Sequence, residues 1–345
     1  MKPKKFLYFI TIIIIYILFF TNAKIISFTI KNTINFCIDS VITTLFPIMV
    51  ISNFLTQIFS TGKIDLPEYI SNFGICRKYF IPILFGTISG FVTGAKNVCN
   101  IYDKNCDDPV SFSNAIILSS NAGVGLVISY VGIILCKNII VGLIIYLMQI
   151  LICLILGRFV LGKAKDFNNN DMNNNYKSIV SCFTDSITSS AFSVINICSF
   201  TLFFSTIISL LLNYLPDNIN LIYTSIITIF LEFSQGIFIC MQLSNISLSG
   251  FFIGFSIGFG GICVMLQIFS VCDRYPLNKK MYFIFKLLHG ILLGLTTSLI
   301  FILFDVSPFR ATFVYSNKKI FKYFFIGLVI LFLLKIKTRI CKKLL

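Results

Sequence analysis

The sequence predicts an all-α protein, a polytopic bundle of helices embedded in a membrane. Hydrophobic residues make up 57% of its 345 residues and charged residues only 12%, whereas soluble domains carry about 45–50% and about 25%. A soluble chain of this size cannot hide so much apolar surface, because even large domains leave many residues in water. These figures exclude a soluble enzyme and a disordered chain. The apolar runs predict about nine or ten membrane-embedded segments, some of them re-entrant.

The formal net charge is +15, from 28 Lys and Arg against 13 Asp and Glu. The basic residues lie between apolar runs and form no long block, which favours loops that orient membrane spans over nucleic-acid binding. The 12 Cys contain no C-x-x-C pair, and the chain has one His, so neither a metal site nor a cofactor is predicted. We expect the lipid bilayer and a small polar solute as partners, and a homo-oligomer stays open.

Residues 1–162 form the predicted N-terminal half. A basic flank followed by an apolar run predicts an uncleaved first span, with a cleaved signal peptide as the alternative. Lys31, Asn35 and Asp39 follow at a spacing of four. This spacing places them on one face of an interfacial or bundle-lining helix.

Further apolar runs at 79–95, 112–136 and 139–161 complete this half. The first is rich in small residues, and the second is interrupted in its middle by small and polar residues. Such an interruption frees backbone groups, which lipid tolerates only where protein or water satisfies them. The residues of interest in these two runs are Ser89, Ser120, Asn121, Gly123 and Gly125.

A polar, Asn-rich segment at 163–185 predicts a linker to a second half at 186–305. In that half, Gly260 and Gly261 interrupt an apolar run at a place that matches the interruption in the first half. Broken spans at matching places in two halves predict a binding site near the middle of the membrane. Close helix packing through small residues is the alternative. Residues 306–345 predict a final span and a basic tail on the inner side.

Glu232 is the most informative single residue, because it lies inside an apolar run, many residues from either end. A carboxylate there is expensive and tends to face a cavity or a partner. We therefore expect a solute, cation or proton site, with a hydrogen bond in a helix interface as the alternative. Gln235 shares its helix face. Lys96 is expected to pair with Glu232 or an anionic solute, or else to extend toward the membrane surface.

Two further side chains are candidates by their position. Gln267 follows the Gly260-Gly261 pair and is expected to face the same cavity. His289 is a candidate pH-sensitive group, with ordinary packing near the start of a span as the alternative. An intramembrane enzyme would need a group such as His289 to converge on Glu232. No Walker loop, G-x-S-x-G or H-E-x-x-H motif occurs, so we predict no enzyme and no catalytic residue.

Over residues 40–300 the chain resembles the sporulation integral membrane proteins of the YlbJ type, which carry the nucleoside-recognition or Gate domain. Six motifs occur in the family's order. They are Leu45-Phe46-Pro47 with Val50-Ile51-Ser52, Ser89-Gly90 with Gly94-Ala95-Lys96, Asn121, Glu232, Gly260-Gly261 with Gln267, and Leu287-Leu288-His289-Gly290.

The resemblance implies a multi-pass protein of the cell or forespore membrane in a spore-forming bacterium, needed for spore cortex formation. Its Gate domain implies passage of a small molecule, so we expect a transporter or channel-like protein. A non-transporting scaffold for spore envelope assembly is the alternative. Val92 and Gly125 stand where the family has proline. Loss of the first proline predicts an unbroken helix at 79–96, whereas Gly125 can still interrupt its segment.

Overall fold

The computed structural model describes residues 3–59, 68–104, 107–165, 178–216 and 219–306. Within these ranges the regular elements are all helical, and five helices are long and apolar enough to cross a membrane. The predicted all-α bundle is therefore confirmed. Most of the predicted linker and nearly all of the segment at 306–345 lie outside the described residues.

After a first helix, α1 (Pro3–Thr21), four units follow in order. They are a long rod, a pair of short helices, an interrupted helix and a continuous helix. The rod comprises α2 (Ala23–Phe36), the π-helix π1 (Cys37–Leu45) and α3 (Phe46–Phe59). The other units are the pair α4 (Phe80–Ser89) and α5 (Phe91–Asn100), the interrupted helix α6 (Pro109–Ser119) with the π-helix π2 (Gly125–Leu135), and α7 (Ile139–Val160).

The second half repeats these four units in the same order, which supports the predicted internal repeat. Its long rod, α8, begins within the predicted linker at 163–185, where Ser178 caps the helix by accepting from the Ser181 amide. Its elements are α8 (Ile179–Tyr214), the pair α9 (Leu221–Leu231) and α10 (Phe233–Cys240), the interrupted helix α11 (Ile246–Phe259) with α12 (Gly261–Val271), and α13 (Lys279–Leu303).

Helices α4 and α5 form a re-entrant hairpin, which we call hairpin 1. The chain turns at Gly90, whose φ of 111° is a conformation that favours glycine. Gly86 on α4 then packs against Gly94 on α5, so closely that a Cβ at Gly86 would lie 2.7 Å from the Gly94 Cα. Lys78, just before the hairpin, pairs with Asp107, just after it, at 2.7 Å. The chain therefore enters and leaves on one side of the bundle.

The unbroken helix expected at 79–96 is wrong. The family's proline is absent at Val92, but Gly90 reverses the chain two residues earlier. A glycine at positive φ ends a helix as effectively as a proline does, because the next turn cannot continue along the same axis.

Helices α9 and α10 form a second re-entrant hairpin, hairpin 2. Its turn lies at Glu232, whose backbone is extended with φ −145° and ψ 120°. Gly236 on α10 packs against α9, where a Cβ would lie 2.8 Å from the Ile229 Cα. The apolar run around Glu232 is therefore two short antiparallel helices rather than one span.

The two repeats run in opposite directions through the bundle. Each contains a rod, an interrupted helix and a continuous helix that cross it, and a hairpin that does not. Because the chain passes through the bundle three times in the first repeat, it ends on the opposite side, and the second repeat starts inverted. The rods confirm this direction, because Asn53 bonds to Ser190 at 2.8 Å and Gln57 bonds to Ser186 at 2.9 Å. The residue numbers rise along α3 as they fall along α8.

The polar face of α2 and π1 points away from the bundle. Lys31, Asn35 and Asp39 are exposed, whereas Thr33 and Cys37, on the opposite face, are buried. The bundle-lining position predicted as one alternative for these three residues is therefore wrong.

Candidate functional site

The tips of the two hairpins meet at the centre of the described bundle. The rings of Phe91, from hairpin 1, and Phe233, from hairpin 2, lie 5.6 Å apart in an edge-on contact. Each tip also packs on the interruption of the helix that follows it. A Cβ at Gly123 would lie 3.0 Å from the Ser89 carbonyl oxygen, and one at Gly261 would lie 3.1 Å from a backbone oxygen of α9. The two hairpin tips and the breaks in the two interrupted helices therefore lie together in one place, which we call the crossing.

Gly260, with φ 79°, and Gly261, with φ 76°, form the other positive-φ turn of the crossing. Gly260 ends α11 and leaves room for the ring of Phe91, which would lie 3.2 Å from a Cβ at this position. Gly125, predicted as a break, instead begins π2 beside the side chains of Thr44 and Leu45 on π1. The interruption of α6 and π2 lies just before it, around Ser120–Gly123.

Glu232 caps the inner end of α10. Its side chain is 1% exposed and accepts from the Ser234 amide at 3.1 Å, the Ser234 hydroxyl at 2.7 and 2.8 Å, and the Gln235 amide at 2.8 Å. These are donors at a helix N-terminus, which carries partial positive charge and favours a carboxylate. The half-helix thus stabilises a charge that lipid would oppose.

Gln235 connects hairpin 2 to the long rod of its own repeat. Its Nε2 donates to the Ser205 hydroxyl on α8 at 2.6 Å, while its backbone amide binds Glu232. A shift of α8 relative to hairpin 2 must therefore break a hydrogen bond next to the carboxylate.

Lys96 does not pair with Glu232. Its Nζ donates to the Ser189 carbonyl at 3.0 Å and lies 3.3 Å from the Ser193 hydroxyl, both on α8. It also lines an open cavity of about 330 Å³ between α5, α8 and α12, together with Asn100 and Asn196. The expected ion pair is wrong, because hairpin 1 directs Lys96 toward the rod rather than toward hairpin 2.

Lys286, on α13, is a charged residue of the crossing that sequence reasoning missed as a site residue. It is fully buried, and its Nζ donates to the Ser120 carbonyl and, at 3.0 Å, to the Asn121 Oδ1. These acceptors follow the last turn of α6, whose free carbonyl groups favour a cation. The ring of Phe91 lies 5.8 Å from the same nitrogen. The sequence signal was a lysine inside an apolar run, three residues before His289.

Asn121 and Ser120 shape the interruption that receives Lys286. The Asn121 Nδ2 donates back to the Leu118 carbonyl at 2.7 Å, and the Ser120 hydroxyl donates to the Ile116 carbonyl at 2.6 Å. These bonds satisfy the end of α6 and leave the Asn121 carbonyl oxygen for the lysine.

His289 belongs to this second cluster and not to that of Glu232. Its Nε2 lies 3.0 Å from the Gln149 carbonyl oxygen on α7, and the Gln149 side chain donates to the Ala122 carbonyl at 2.9 Å. The hydrogen bonds described for His289 and for Glu232 share no residue. The convergence that an intramembrane enzyme would need is not observed among the described contacts.

The two remaining candidates make local contacts. Ser89, at the end of α4, donates to the Phe85 carbonyl at 2.9 Å, and Gln267, on α12, donates to the Cys263 thiol at 3.4 Å. Both are buried. They line the crossing without touching either charged residue in the described contacts.

Among the described residues, no group of three His, Cys, Asp or Glu is placed to hold a metal ion. Comparison with protein-family models, with curated proteins and with solved structures finds no match to this chain. At the crossing, the Glu232 carboxylate lies at the N-terminus of α10 and the Lys286 ammonium group lies at the C-terminus of α6.

Proposed function

We propose that this chain is a membrane transporter for a small polar solute and that the crossing is its binding centre. The observation that supports this most is that two inverted repeats meet at the crossing, where two charged side chains are buried. Glu232 lies at the free N-terminus of α10, and Lys286 lies at the free C-terminus of α6. Half-helix ends directed at one point near the middle of a bundle are a recurrent way to bind solutes and ions in membrane transporters.

Inverted repeats also provide a mechanism. Two halves of like construction and opposite direction can exchange conformations, so that a central site opens first to one side and then to the other. Glu232 and Lys286 are both almost fully buried here, which corresponds to the occluded stage of such a cycle. Gln235 and Lys96, which bond to α8, are the contacts that would slide.

The charges of the connections support an orientation. Basic residues are concentrated where hairpin 1 opens, and loops rich in Lys and Arg stay in the cytoplasm. We therefore place the open end of hairpin 1, and the cavity beside Lys96, on the cytoplasmic side. The described basic residues at this end are Arg77, Lys78, Lys104, Arg158, Lys163, Lys165, Arg274, Lys279 and Lys280.

The role in sporulation rests on the resemblance to YlbJ-type proteins. Residues of its motifs, among them Asn121, Glu232, Gly260 and Gly261, belong to the crossing, as functional positions of one family would. We propose that the chain acts in the cell or forespore membrane during spore cortex formation.

A non-transporting scaffold is the second candidate, and the tight packing of α11 on α13 favours it. A Cβ at Gly254 would lie 2.5 Å from the Leu293 carbonyl oxygen, and one at Gly258 would lie 2.7 Å from the Gly290 Cα. Backbones in such contact resist rearrangement, as a rigid assembly platform requires.

The test is solute flux into proteoliposomes that contain the purified full chain. Thermal shift with nucleosides, amino acids and sugars would first identify a ligand, because binding to the folded state raises stability. We expect saturable uptake that falls at least tenfold in Glu232→Gln and Asn121→Ala. Gln57→Ala is the matched control, since Gln57 makes a polar contact outside the crossing.

Uptake that both crossing variants leave unchanged would contradict the site. The scaffold predicts instead that sporulation survives Glu232→Gln but fails when the loop at 163–178 is replaced. The transporter proposal predicts the reverse for the same two strains: sporulation fails in Glu232→Gln, which loses transport, and survives replacement of the loop, which lies outside the crossing.

A further inference from the structure

A stripe of polar side chains on the outer face of the first long rod has no partner in the described part of the chain. Lys31, Asn35 and Asp39 are exposed, and no side-chain hydrogen bond or ion pair joins any of them to another described residue. Exposed apolar side chains surround them, such as Ile34 and Ile38. The stripe therefore looks like part of a buried surface, although nothing described covers it.

The depth of Asp39 makes this exposure significant. The rod runs from Ala23 to Phe59, so Asp39 is 16 residues from one end and 20 from the other. At about 1.5 Å per residue, both ends are more than about 20 Å away. The register against α8 gives the depth of Asp39: Thr29 pairs with Ser209 and Asn53 with Ser190, which places Asp39 within a few residues of the level of Ser205, the hydroxyl that Gln235 contacts at the crossing. The hydrocarbon core extends about 15 Å on either side of its centre. A short carboxylate at this position cannot reach the membrane surface, as a long Lys or Arg side chain can.

Lipid does not solvate such a group, so Asp39 and Asn35 should face protein or water. The contacts on the opposite face of the rod are already made. The Thr29 and Ser209 hydroxyl groups share a hydrogen bond of 2.7 Å between α2 and α8, and Cys37, on the same face of the rod, is buried. A protein partner must therefore approach from outside the described bundle.

We propose that the outer face of α2 and π1 is the interface between two copies of this chain. Two copies related by a two-fold axis along the membrane normal have parallel rods, so that residues of the same number lie level with each other. Asn35, at the middle of the stripe, then faces Asn35 of the second copy, and an amide is both donor and acceptor. Each Asn35 also lies one helical turn from Asp39 of the second copy, to which it can donate, and this contact occurs twice.

The shape beside the stripe fits the same occupant. A groove of about 630 Å³ lies along α1 and α2, with Phe20, Ile26, Ile30 and Ile34 in its apolar wall and Lys31 and Asn35 at its polar edge. The large apolar side chains that flank the stripe in the second copy would fill it. Helix pairs in membranes associate through this combination of close packing and interhelical hydrogen bonds.

The test uses the full chain in lipid vesicles and the variant Asn35→Cys. Oxidation with copper phenanthroline should give a species at twice the mass of the 39.0 kDa chain. Leu299→Cys is the matched control, because Leu299 is exposed on α13, and it should stay monomeric. Unmodified chain gives the background from the native cysteines.

A second measurement removes the dependence on cross-linking. Energy transfer between labelled copies, followed as the lipid-to-protein ratio rises, gives the dimer dissociation constant. The double variant Asn35→Leu with Asp39→Leu should weaken the dimer at least tenfold, whereas Asp39→Asn, which stays polar, should weaken it less. A monomeric wild-type chain would overturn the proposal. If Asn35→Cys were also shielded from a lipid-soluble maleimide in that monomer, residues 307–345 of the same chain would be the occupant.

Discussion

The two re-entrant hairpins are built alike, but the buried charged side chain beside each tip comes from a different place in the chain. Hairpin 1 turns on Gly90 and brings no charge of its own to the crossing; the charge beside it is Lys286, from α13 of the other repeat. Hairpin 2 turns on Glu232, which is itself the charge and caps the arm that follows. The charged residue beside hairpin 1 therefore belongs to another helix, whereas that of hairpin 2 belongs to the hairpin itself.

Backbone geometry explains this difference. The turn of hairpin 1 needs a φ of 111°, which favours glycine and so excludes a functional side chain at the tip. The turn of hairpin 2 is extended, with φ −145°, a conformation that any residue adopts. In repeat 2 positive φ occurs instead at Gly260 and Gly261, in the interrupted helix. A repeat can therefore place its glycine and its charge on different elements while preserving the crossing.

The largest expected effect tests how tightly each hairpin is closed. In hairpin 1, the Cβ of Gly94→Ala would lie 2.2 Å from the Ser119 carbonyl oxygen, a backbone atom that cannot move aside. We expect a loss of about 3 kcal/mol in the free energy of unfolding. Gly236→Ala in hairpin 2, with 2.8 Å to the Ile229 Cα, should lose about 2 kcal/mol. Thermal unfolding in detergent, followed by circular dichroism, measures both.

Gly162→Ala is the matched control, because nothing lies within 4 Å of a Cβ at this position. It should leave the unfolding transition unchanged. Equal stability of Gly94→Ala and Gly162→Ala would contradict the close approach of hairpin 1 to α6.

The sequence predicted the class of fold, an internal repeat and re-entrant segments, but not which apolar runs are re-entrant. Apolar runs and the break near Asn121 gave helices and an interruption, because composition reports the surrounding solvent. The hairpins could not be recognised, since the run around Glu232 has the length and hydrophobicity of a single span. The extended backbone of Glu232 and the contact between Gly236 and α9 show that the chain reverses there. Glu232 stood out from the sequence because no other charge lies near it in its run.

Lys286 was overlooked because its apolar run begins close to it, so a lysine there is ordinarily a flank. The carbonyl end of α6 that receives it is 166 residues away in the chain. Partners at that separation come from tertiary structure, which spacing does not encode. The pairing of Lys96 with Glu232 failed for the related reason that charge alone does not say which helix faces which.

The next largest effect on stability is expected for Lys286, and the control is Lys280 on the same helix. Lys286→Met removes the donor to the Ser120 carbonyl and the Asn121 Oδ1. Each acceptor left unsatisfied costs about 1–3 kcal/mol, and relief of a buried charge offsets part of this. We expect a net loss of about 2 kcal/mol by thermal unfolding. Lys280→Met, at the exposed start of α13, should change stability by less than about 0.5 kcal/mol. A Lys286→Met protein as stable as Lys280→Met would mean that the end of α6 needs no cation.

The charge carried by hairpin 2 should matter less for stability. Glu232→Gln retains an acceptor for the Ser234 and Gln235 amides but loses the favourable charge at the N-terminus of α10. We expect a loss of about 1 kcal/mol. Glu232→Ala removes the cap entirely and should lose about 2 kcal/mol, measured in the same unfolding assay. A Glu232→Ala protein no less stable than Glu232→Gln would show that the cap does not support the hairpin.

The smallest effect concerns the open ends of the hairpins. Hairpin 1 is closed by Asp107, which binds the Lys78 ammonium group and accepts from the Tyr79 hydroxyl at 2.8 Å. At hairpin 2, the Ser249 hydroxyl donates to the Cys240 carbonyl at 2.8 Å, so a neutral hydrogen bond takes the place of the ion pair.

Burial, and then the hydrogen bond to Asp107, raise the pKa of Tyr79 well above its usual range. A pKa that is raised in the folded state contributes stability that is fully present below the unfolded pKa of about 10. This contribution is lost as the pH rises above that value. Stability should therefore fall above about pH 10, and less steeply in Tyr79→Phe than in the control Tyr69→Phe, whose ring is exposed. Superimposable stability profiles of the two variants between neutral and alkaline pH would show that the closure of hairpin 1 by Asp107 does not depend on the Tyr79 proton.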